Sequence, residues 1–545
     1  MTSTTVYEAF VETCACFPNR PFLHVVKNVA ERYAIDVGEI SYREAERTIT
    51  GLINQYQRAG YGGGHRIALM LGNRPAFIFH WFALNALGAS VVPVNAELSA
   101  AEQADLIDHS GVCLLLYVAE HEVTMRAAVA ECASALAVSD INRFDLLPQA
   151  SAVASLEASD AHSECAILFT SGSTGQPKGC LLSNEYFLEM GRWYRDIGGL
   201  CSLESGVERL ITPLPLTHMN AMGTSLMAMV ITGGCLVQLD RFHAKSWWQA
   251  VRESRATVIH YLGVMPAILL QLATDPNEAI ASVKFGFGAG VNPAHHDSFE
   301  QRFGFPLVEA WAMTETGTAV CVIANHEPRH IGQSCFGKPD RCRLEFRLVD
   351  ETGIDVASGE GGELLVRAIG ENPRKGFFSG YLLNDAATAQ GWDGGWWHTG
   401  DVARELTDGS LCFVDRRKNI IRRSGENIAA LEVEAVLSRH AAPTALAVTP
   451  VPDEIRGDEV MACIVLNPDF LPTEETAVAL FEHCLAQLAY FKAPGYVMFL
   501  DSLPLTATQK PKRNEIKVLA RDQLERPSAN VKLFDFRERK RRPSA

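Results

Sequence analysis

A chain of 545 residues, 47% hydrophobic and 21% charged, is too long for one compact core and ordinary enough in composition to be globular, so two or more domains are expected. A formal charge of −15 speaks against a nucleic-acid footprint, and the one basic cluster, residues 537–542, reads as a solvated tail. Fourteen cysteines with no CxxC pair offer poor metal-ligand spacing and fit free thiols in a reducing cytoplasm. Residues 1–20 lack the continuous apolar core of a leader. The longest apolar stretch, 222–237, is interrupted at Gly223, Gly233 and Gly234, so no membrane span is expected.

In chain order, Ser41-Tyr-Arg-Glu44 is a capping box opening an amphipathic helix that ends near Gly60. A strand follows over 66–71, a helix over 75–87 with Pro75 in its first turn, and a strand over 90–94. Ser99 and Glu102 cap another helix, and 112–118 is an apolar strand. Beyond an apolar strand at 166–169 the pattern continues with helix 184–197, strand 209–212, helix 223–232, strand 235–239, helix 244–254 and strand 258–262. Strands alternating with helices imply parallel, doubly wound α/β sheets, and the lack of a fixed repeat excludes a solenoid. From about Gly332 the texture becomes all-β, with short strands at 343–349, 362–367 and 411–414 between glycine-rich turns. Past Asp415, helices at 431–439 and 473–488 and strands at 445–449, 461–466 and near 496–500 make a small α+β domain.

Residues 166–184 read AILFTSGSTGQPKGCLLSN. Glycines permit the turns that point successive N–H groups inward, and small residues let backbone approach an anion. Ser171, Ser173 and Thr174 add hydroxyl donors and Lys178 a positive charge, the chemistry of a loop that grips a polyphosphate. A flexible polar linker would explain the Gly and Ser, but not the apolar strand in front or the Pro-Lys-Gly behind. A Walker loop is excluded, because Pro177 precedes Lys178 and Gly179 follows it. Residues 169–179 match the pattern aromatic-T-S-G-[ST]-T-G-x-P-K-G throughout, and on them the chain resembles the adenylate-forming (AMP-binding) enzymes. The resemblance assigns Thr170, Ser171, Gly172, Ser173, Thr174, Gly175 and Lys178 to ATP.

Further motifs extend it. Glu309-Ala-Trp-Ala-Met-Thr-Glu-Thr316 is similar to the family's aromatic-Gly-x-Thr-Glu, with Ala312 where Gly is usual. Trp311 then offers a flat surface for adenine, Thr314 a phosphate contact and Glu315 the carboxylate that holds Mg²⁺, a hard cation suited to carboxylate and phosphate oxygens. Gly288-Ala289-Gly290 is the turn along the adenine. Trp396-Trp-His-Thr-Gly-Asp401 supplies Asp401 for the ribose hydroxyls, a charge-assisted bidentate contact. In the hinge-like segment 415–428, Arg416 contacts the ribose, Lys418 is the pivot, Asn419 replaces an acid, and Gly425 lines the thiol channel. Leu503-Pro-Leu-Thr-Ala-Thr-Gln-Lys510 resembles the mobile lysine loop, with Gln509 in place of Gly. Pro213-Leu-Pro-Leu-Thr-His218 is similar to the family's P-x-aromatic-H, which implies that His218 borders the acyl site or thiol tunnel, with a core histidine as the alternative. Met219, residues 261–265 and Met313 are expected to line a pocket for a small to medium acyl group.

The resemblance implies a large N-terminal domain, 1–415, of two doubly wound α/β subdomains with a β-barrel part at about 332–415, and a mobile α+β C-terminal domain, 416–545. It also implies the reaction. A small carboxylate and MgATP give acyl-AMP and pyrophosphate, and CoA then forms the thioester, with Lys510, Thr314, Glu315 and His218 as catalytic residues. Texture around 261–270, YLGVMPAILL, is similar to the crotonobetaine/carnitine-CoA ligase branch. Loading of a separate carrier protein and a non-catalytic nucleotide-binding role are the alternatives.

Overall fold

The computed structural model describes residues 3–170, 177–274, 278, 280–423, 426–453, 456–506, 510–528 and 531–540. Within them the chain builds four sheets. The first runs, in spatial order, Gly380–Tyr381, Lys178–Ser183, Glu164–Thr170, Ser90–Pro93, Arg66–Met70, Leu114–Tyr117 and Ala137–Asp140. The second runs Val322–Ile323, Leu307–Trp311, Phe285–Ala289, Val258–Leu262, Arg209–Thr212, Cys235–Gln238, Pro21–Val25 and Gly38–Ser41. The interior pairings of both are parallel, and antiparallel strands lie at their edges.

Strand alternation sends successive side chains to opposite faces. Ile67 and Leu69 join one core while Ala68 and Met70 join another, and Leu210 and Ile211 divide the same way. Both faces are therefore apolar, as parallel strands covered by helices require. Helices Val6–Cys16, Asn184–Asp196 and Leu226–Thr232 pack on one another, and Pro75–Ala86, buried almost all round, joins them in the core that takes residues from both sheets. The capping boxes are formed: Ser41 Oγ accepts from Glu44 N at 3.2 Å while Glu44 Oε2 accepts from Ser41 N at 2.8 Å. Ser99 and Glu102 repeat the arrangement. The expected helix at 223–232 is a π-helical turn, Asn220–Ser225, followed by an α-helix, Leu226–Thr232.

The third sheet is antiparallel, in the order Cys335–Gly337, Leu411–Arg416, Trp397–Glu405, Gly361–Ala368 and Leu344–Val349, and is the all-β part expected from Gly332 onward. The fourth contains Glu426–Ala429, Ile420–Arg423, Gly457–Leu466, Tyr496–Phe499 and Lys532–Asp535, with Pro443–Asp453 also paired to Gly457–Leu466. Its faces bury separate clusters, one with helices Ala430–Leu437 and Glu474–Leu485 and the other with Arg513–Glu525.

As far as residue 540, where the described residues end, the basic C-terminal segment is not a solvated tail. Arg537 lies over the Tyr496 ring at 4.8 Å and 3.3 Å from Asp453, Phe536 stacks on Phe481, and buried Lys540 donates to Glu459 Oε1 at 2.5 Å. Glu459 is also held by Arg423 Nε at 2.8 Å. Arg537 also pairs with nearby Asp535, but its contact with Asp453 and that of Lys540 with Glu459 join residues far apart in sequence, which a local charge run cannot reveal.

Candidate active site

The site gathers at the carboxyl ends of parallel strands, where open α/β sheets bind ligands. Ala289 and Trp311 end two neighbouring strands of the second sheet. After Ala289 the backbone turns through Gly290 at φ +79°, a conformation that favours glycine. A Cβ on Gly288 would lie 2.4 Å from the Tyr261 carbonyl oxygen, so this position admits no side chain. The turn is held by Glu309, whose carboxylate accepts from Gly290 N at 2.9 Å, Val291 N at 3.0 Å and Tyr261 Oη at 3.1 Å. Ala289 and Gly290 are exposed.

Glu309 lies inside a motif visible in the sequence, yet nothing there marks it as the residue that shapes the turn. Its partners also correct the pocket assignment. Tyr261 and Met265 belong to a buried core, whereas Met219, Leu262 and Met313 are half-buried. A phenol bonded to a buried carboxylate does not line an acyl pocket.

Trp311 is only 6% exposed, and its Nε1–H donates to Asp401 Oδ2 at 2.9 Å. Its ring tilts against Phe336 at 6.1 Å, which leaves little of it open for adenine. Asp401 stands opposite Arg416 on the neighbouring strand, with Arg416 Nε 2.6 Å from Asp401 Oδ1. Burial pushes the Asp401 carboxyl up, against the pull of Arg416 and the Trp311 N–H.

Glu315 is buried at the start of the segment after Thr314. Its Oε1 accepts from Tyr381 Oη at 2.7 Å, and its backbone carbonyl accepts from Phe378 N at 2.9 Å. Among the described residues no hydrogen bond reaches Glu315 Oε2. That hard anionic oxygen suits Mg²⁺. Tyr186 Oη donates to the Thr314 carbonyl at 2.8 Å, which fixes the segment from the other side. Lys178 begins the strand Lys178–Ser183, opposite Thr170, and its ammonium lies 4.7 Å from the centre of the Tyr381 ring. Ser171, Gly172, Ser173, Thr174, Gly175, Gly425 and Gln509 lie outside the described residues, as does the Lys418 side chain.

His218 follows a turn that buried Asn73 braces, accepting from Leu216 N at 2.9 Å and donating to the Leu214 carbonyl at 3.1 Å. Behind it, Ser225 Oγ donates to the Asn220 carbonyl at 3.1 Å and lies 2.7 Å from His260 Nδ1, while Tyr194 Oη lies 2.9 Å from Nε2. Ser225 and Tyr194 thus engage both ring nitrogens of His260. His260 is therefore a core histidine that pins the π-helical turn beside His218.

Lys510 comes from the other end of the chain, yet burial and the Arg416 guanidinium hold its ammonium below the usual lysine range. Burial and the same ammonium hold the His218 imidazole below its ordinary value. Lys510 is thus within electrostatic reach of both Arg416 and His218. The Lys510 loop is closed by Thr506 N donating to the Lys510 carbonyl at 2.8 Å and by Lys510 N donating to Thr506 Oγ1 at 3.1 Å. At the junction below it, buried Asp415 accepts from Arg416 N at 2.6 Å, Asn419 Nδ2 at 3.1 Å and Leu431 N at 3.0 Å.

The profile described as AMP-binding enzyme matches residues 10–382, and that of the AMP-binding enzyme C-terminal domain matches residues 432–510. A crotonobetaine/carnitine–CoA ligase of Escherichia coli is 30% identical over 500 residues, covering 88% of this chain and 93% of that protein. In fold, the chain is similar to the o-succinylbenzoate CoA synthetase MenE of Bacillus subtilis in complex with the acyl-adenylate intermediate OSB-AMP, with a TM-score of 0.80 at 23% identity, covering 95% of this chain and 99% of that one. It is also similar to the anthranilate CoA ligase AuaEII in complex with anthranoyl-AMP, with a TM-score of 0.81 at 20% identity, covering 96% of this chain and 98% of that one.

Proposed function

We propose a specific reaction course for this chain, which belongs to the AMP-binding enzyme family and is an adenylate-forming acyl-CoA ligase. A substrate carboxylate oxygen bonds to the α-phosphorus of ATP as the bond to the β-phosphate oxygen breaks, giving acyl-AMP and pyrophosphate. A thiol then bonds to the acyl carbon as the bond to the AMP oxygen breaks, and its proton passes to solvent. CoA is the proposed thiol, in keeping with the curated relatives named as CoA ligases.

The residues take the following parts. Asp401 and Arg416 bind the ribose, and the turn Gly288-Ala289-Gly290 lies along the adenine. Lys178 and Thr314 contact phosphate. Glu315 is the residue that would hold Mg²⁺, and the ion would supply charge neutralisation at the phosphates. Lys510 stabilises charge on the α-phosphate and orients the carboxylate, a case where positioning and electrostatics carry the step. His218, neutral at physiological pH, borders the acyl group, and half-buried Met219, Leu262 and Met313 suit a small to medium acid. We divide the chain at the Asp415 clamp, with 1–415 binding ATP and acid and 416–545 turning as a lid. No helix of the described residues is long and apolar enough to cross a membrane, and all fourteen cysteines are free, which supports a reducing, cytoplasmic setting.

The observation that best supports the reading is the site geometry, Asp401 paired with Arg416 and Glu315 held by Tyr381 beside Lys178, with Lys510 in electrostatic reach of Arg416 and His218. A screen of AMP and pyrophosphate release across carboxylic acids, with and without CoA, tests it. Acid-dependent pyrophosphate release with acyl-CoA as product is expected. Release from no acid in a broad panel would contradict it.

A further inference from the structure

We propose that Tyr381 is a positioning residue for nucleotide chemistry, holding the Glu315 carboxylate with its hydroxyl and the Lys178 ammonium with the face of its ring. The proposal rests on the reading of Glu315 as metal ligand and Lys178 as phosphate contact.

Tyr381 lies on the edge strand Gly380–Tyr381, where it faces Cys180 of the antiparallel strand Lys178–Ser183. Lys178 and Cys180 share one face of that strand, so the Tyr381 ring is the diagonal neighbour of Lys178, within reach of a long side chain. The segment is fastened on both sides of the tyrosine. Ser379 N donates to the Leu181 carbonyl and Leu382 N to the Gly179 carbonyl, each at 2.8 Å, while Phe378 N donates to the Glu315 carbonyl at 2.9 Å. The ring is fixed by Phe378 at 4.9 Å and Trp397 at 6.3 Å. One short stretch therefore binds the strand of the phosphate lysine to the backbone and the side chain of the metal carboxylate.

The chemistry explains why a tyrosine suits this place. Among the described residues Lys178 forms no ion pair, and its ammonium rests 4.7 Å above the aromatic ring. A direct Lys178–Glu315 pair would neutralise both groups and would have to break before phosphate and metal could bind. Tyr381 gives each a neutral partner instead. A hydrogen bond to Oε1 orients the carboxylate and leaves Oε2 for the ion, the role that outer partners of metal ligands commonly play. The ring face retains the ammonium by a cation–π contact that a phosphate can displace.

The test separates the hydroxyl from the ring. Mn²⁺, an EPR-visible substitute for Mg²⁺, is titrated into the full-length protein with α,β-methylene-ATP, and metal-free binding of the same analogue is measured by calorimetry in EDTA. Tyr381→Phe should weaken Mn²⁺ binding roughly 10-fold, within the range seen for outer-shell changes, and leave metal-free analogue binding unchanged. Tyr381→Leu should weaken both. Glu315→Gln is the control. Loss of Mn²⁺ binding in Glu315→Gln with wild-type binding in Tyr381→Phe overturns the role of Tyr381 alone. Wild-type Mn²⁺ binding in Glu315→Gln removes the metal-ligand reading and overturns the proposal with it.

Discussion

Trp311 donates its indole N–H to Asp401 across 90 positions of sequence, at 2.9 Å, on the oxygen that Arg416 does not face. The proposed ribose carboxylate is therefore aimed from two sides before any nucleotide arrives. Preorganised groups of this kind lose little entropy on binding.

Asp401→Asn removes the charge and keeps the shape. Hydrogen bonds to charged groups are worth about 1.5–3 kcal/mol, so AMP affinity should fall roughly 10- to 100-fold. Calorimetric titration of AMP checks this, and wild-type affinity would remove Asp401 from the ribose site.

Trp311→Phe keeps an aromatic ring and deletes the donor. If Trp311 acts through Asp401 rather than by stacking, the Phe variant should lose about as much AMP affinity as the Ala variant. Full retention in Trp311→Phe with loss in Trp311→Ala would restore the stacking role.

His260 makes stability pH-dependent. Burial pushes its imidazole down to about 3, so below the ordinary value of about 6.5 the unfolded chain binds a proton that the folded protein does not. Its contribution is complete above about pH 6.5 and is lost as the pH falls toward 3, by about 1.4 kcal/mol per pH unit. Urea unfolding between about pH 6 and about pH 4 should show a shallower acid slope in His260→Gln than in wild type. Equal slopes would contradict the neutral, buried assignment.

Glu459→Gln should unfold the C-terminal sheet more readily than Lys540→Met does. Removing the carboxylate leaves Arg423 and Lys540 buried without a counter-charge, at a cost of about 3–5 kcal/mol, whereas removing Lys540 leaves one matched pair. Thermal unfolding of the two variants checks the order.

The sequence marks candidate site residues where residue types are tied to spacing. Trp311, Glu315, Asp401, Arg416 and Lys510 each sit in a motif whose chemistry is local, and strand and helix periods exposed the alternating α/β plan. It hid whatever depends on a distant partner. Tyr381 belongs to none of the motifs read from the sequence, and its part emerges only when Glu315, 66 positions away, is placed against its hydroxyl. Lys540 reads as one more tail cation until Glu459, 81 positions away, buries it. Tyr261 looks like pocket lining because an apolar run does not say which face meets the cleft; its hydroxyl is committed to Glu309. The strand that begins at Lys178 was also invisible, since its pairing with Glu164–Thr170 closes only across the glycine-rich stretch.

The central claim is that Lys510 serves one half-reaction. It lies beyond the Asp415 junction from the phosphate-binding strand, yet within electrostatic reach of Arg416 and His218. Charge builds on the α-phosphate during adenylation, where a single placed donor is worth roughly 100-fold or more in rate. Thioester formation from acyl-AMP needs a thiol path, not that ammonium. Both half-reactions should be measured on one preparation of Lys510→Ala: acyl-AMP formation from acid and MgATP, and acyl-CoA formation from supplied acyl-AMP and CoA. The account predicts collapse of the first and near wild-type rates in the second. A similar fall in both would contradict it.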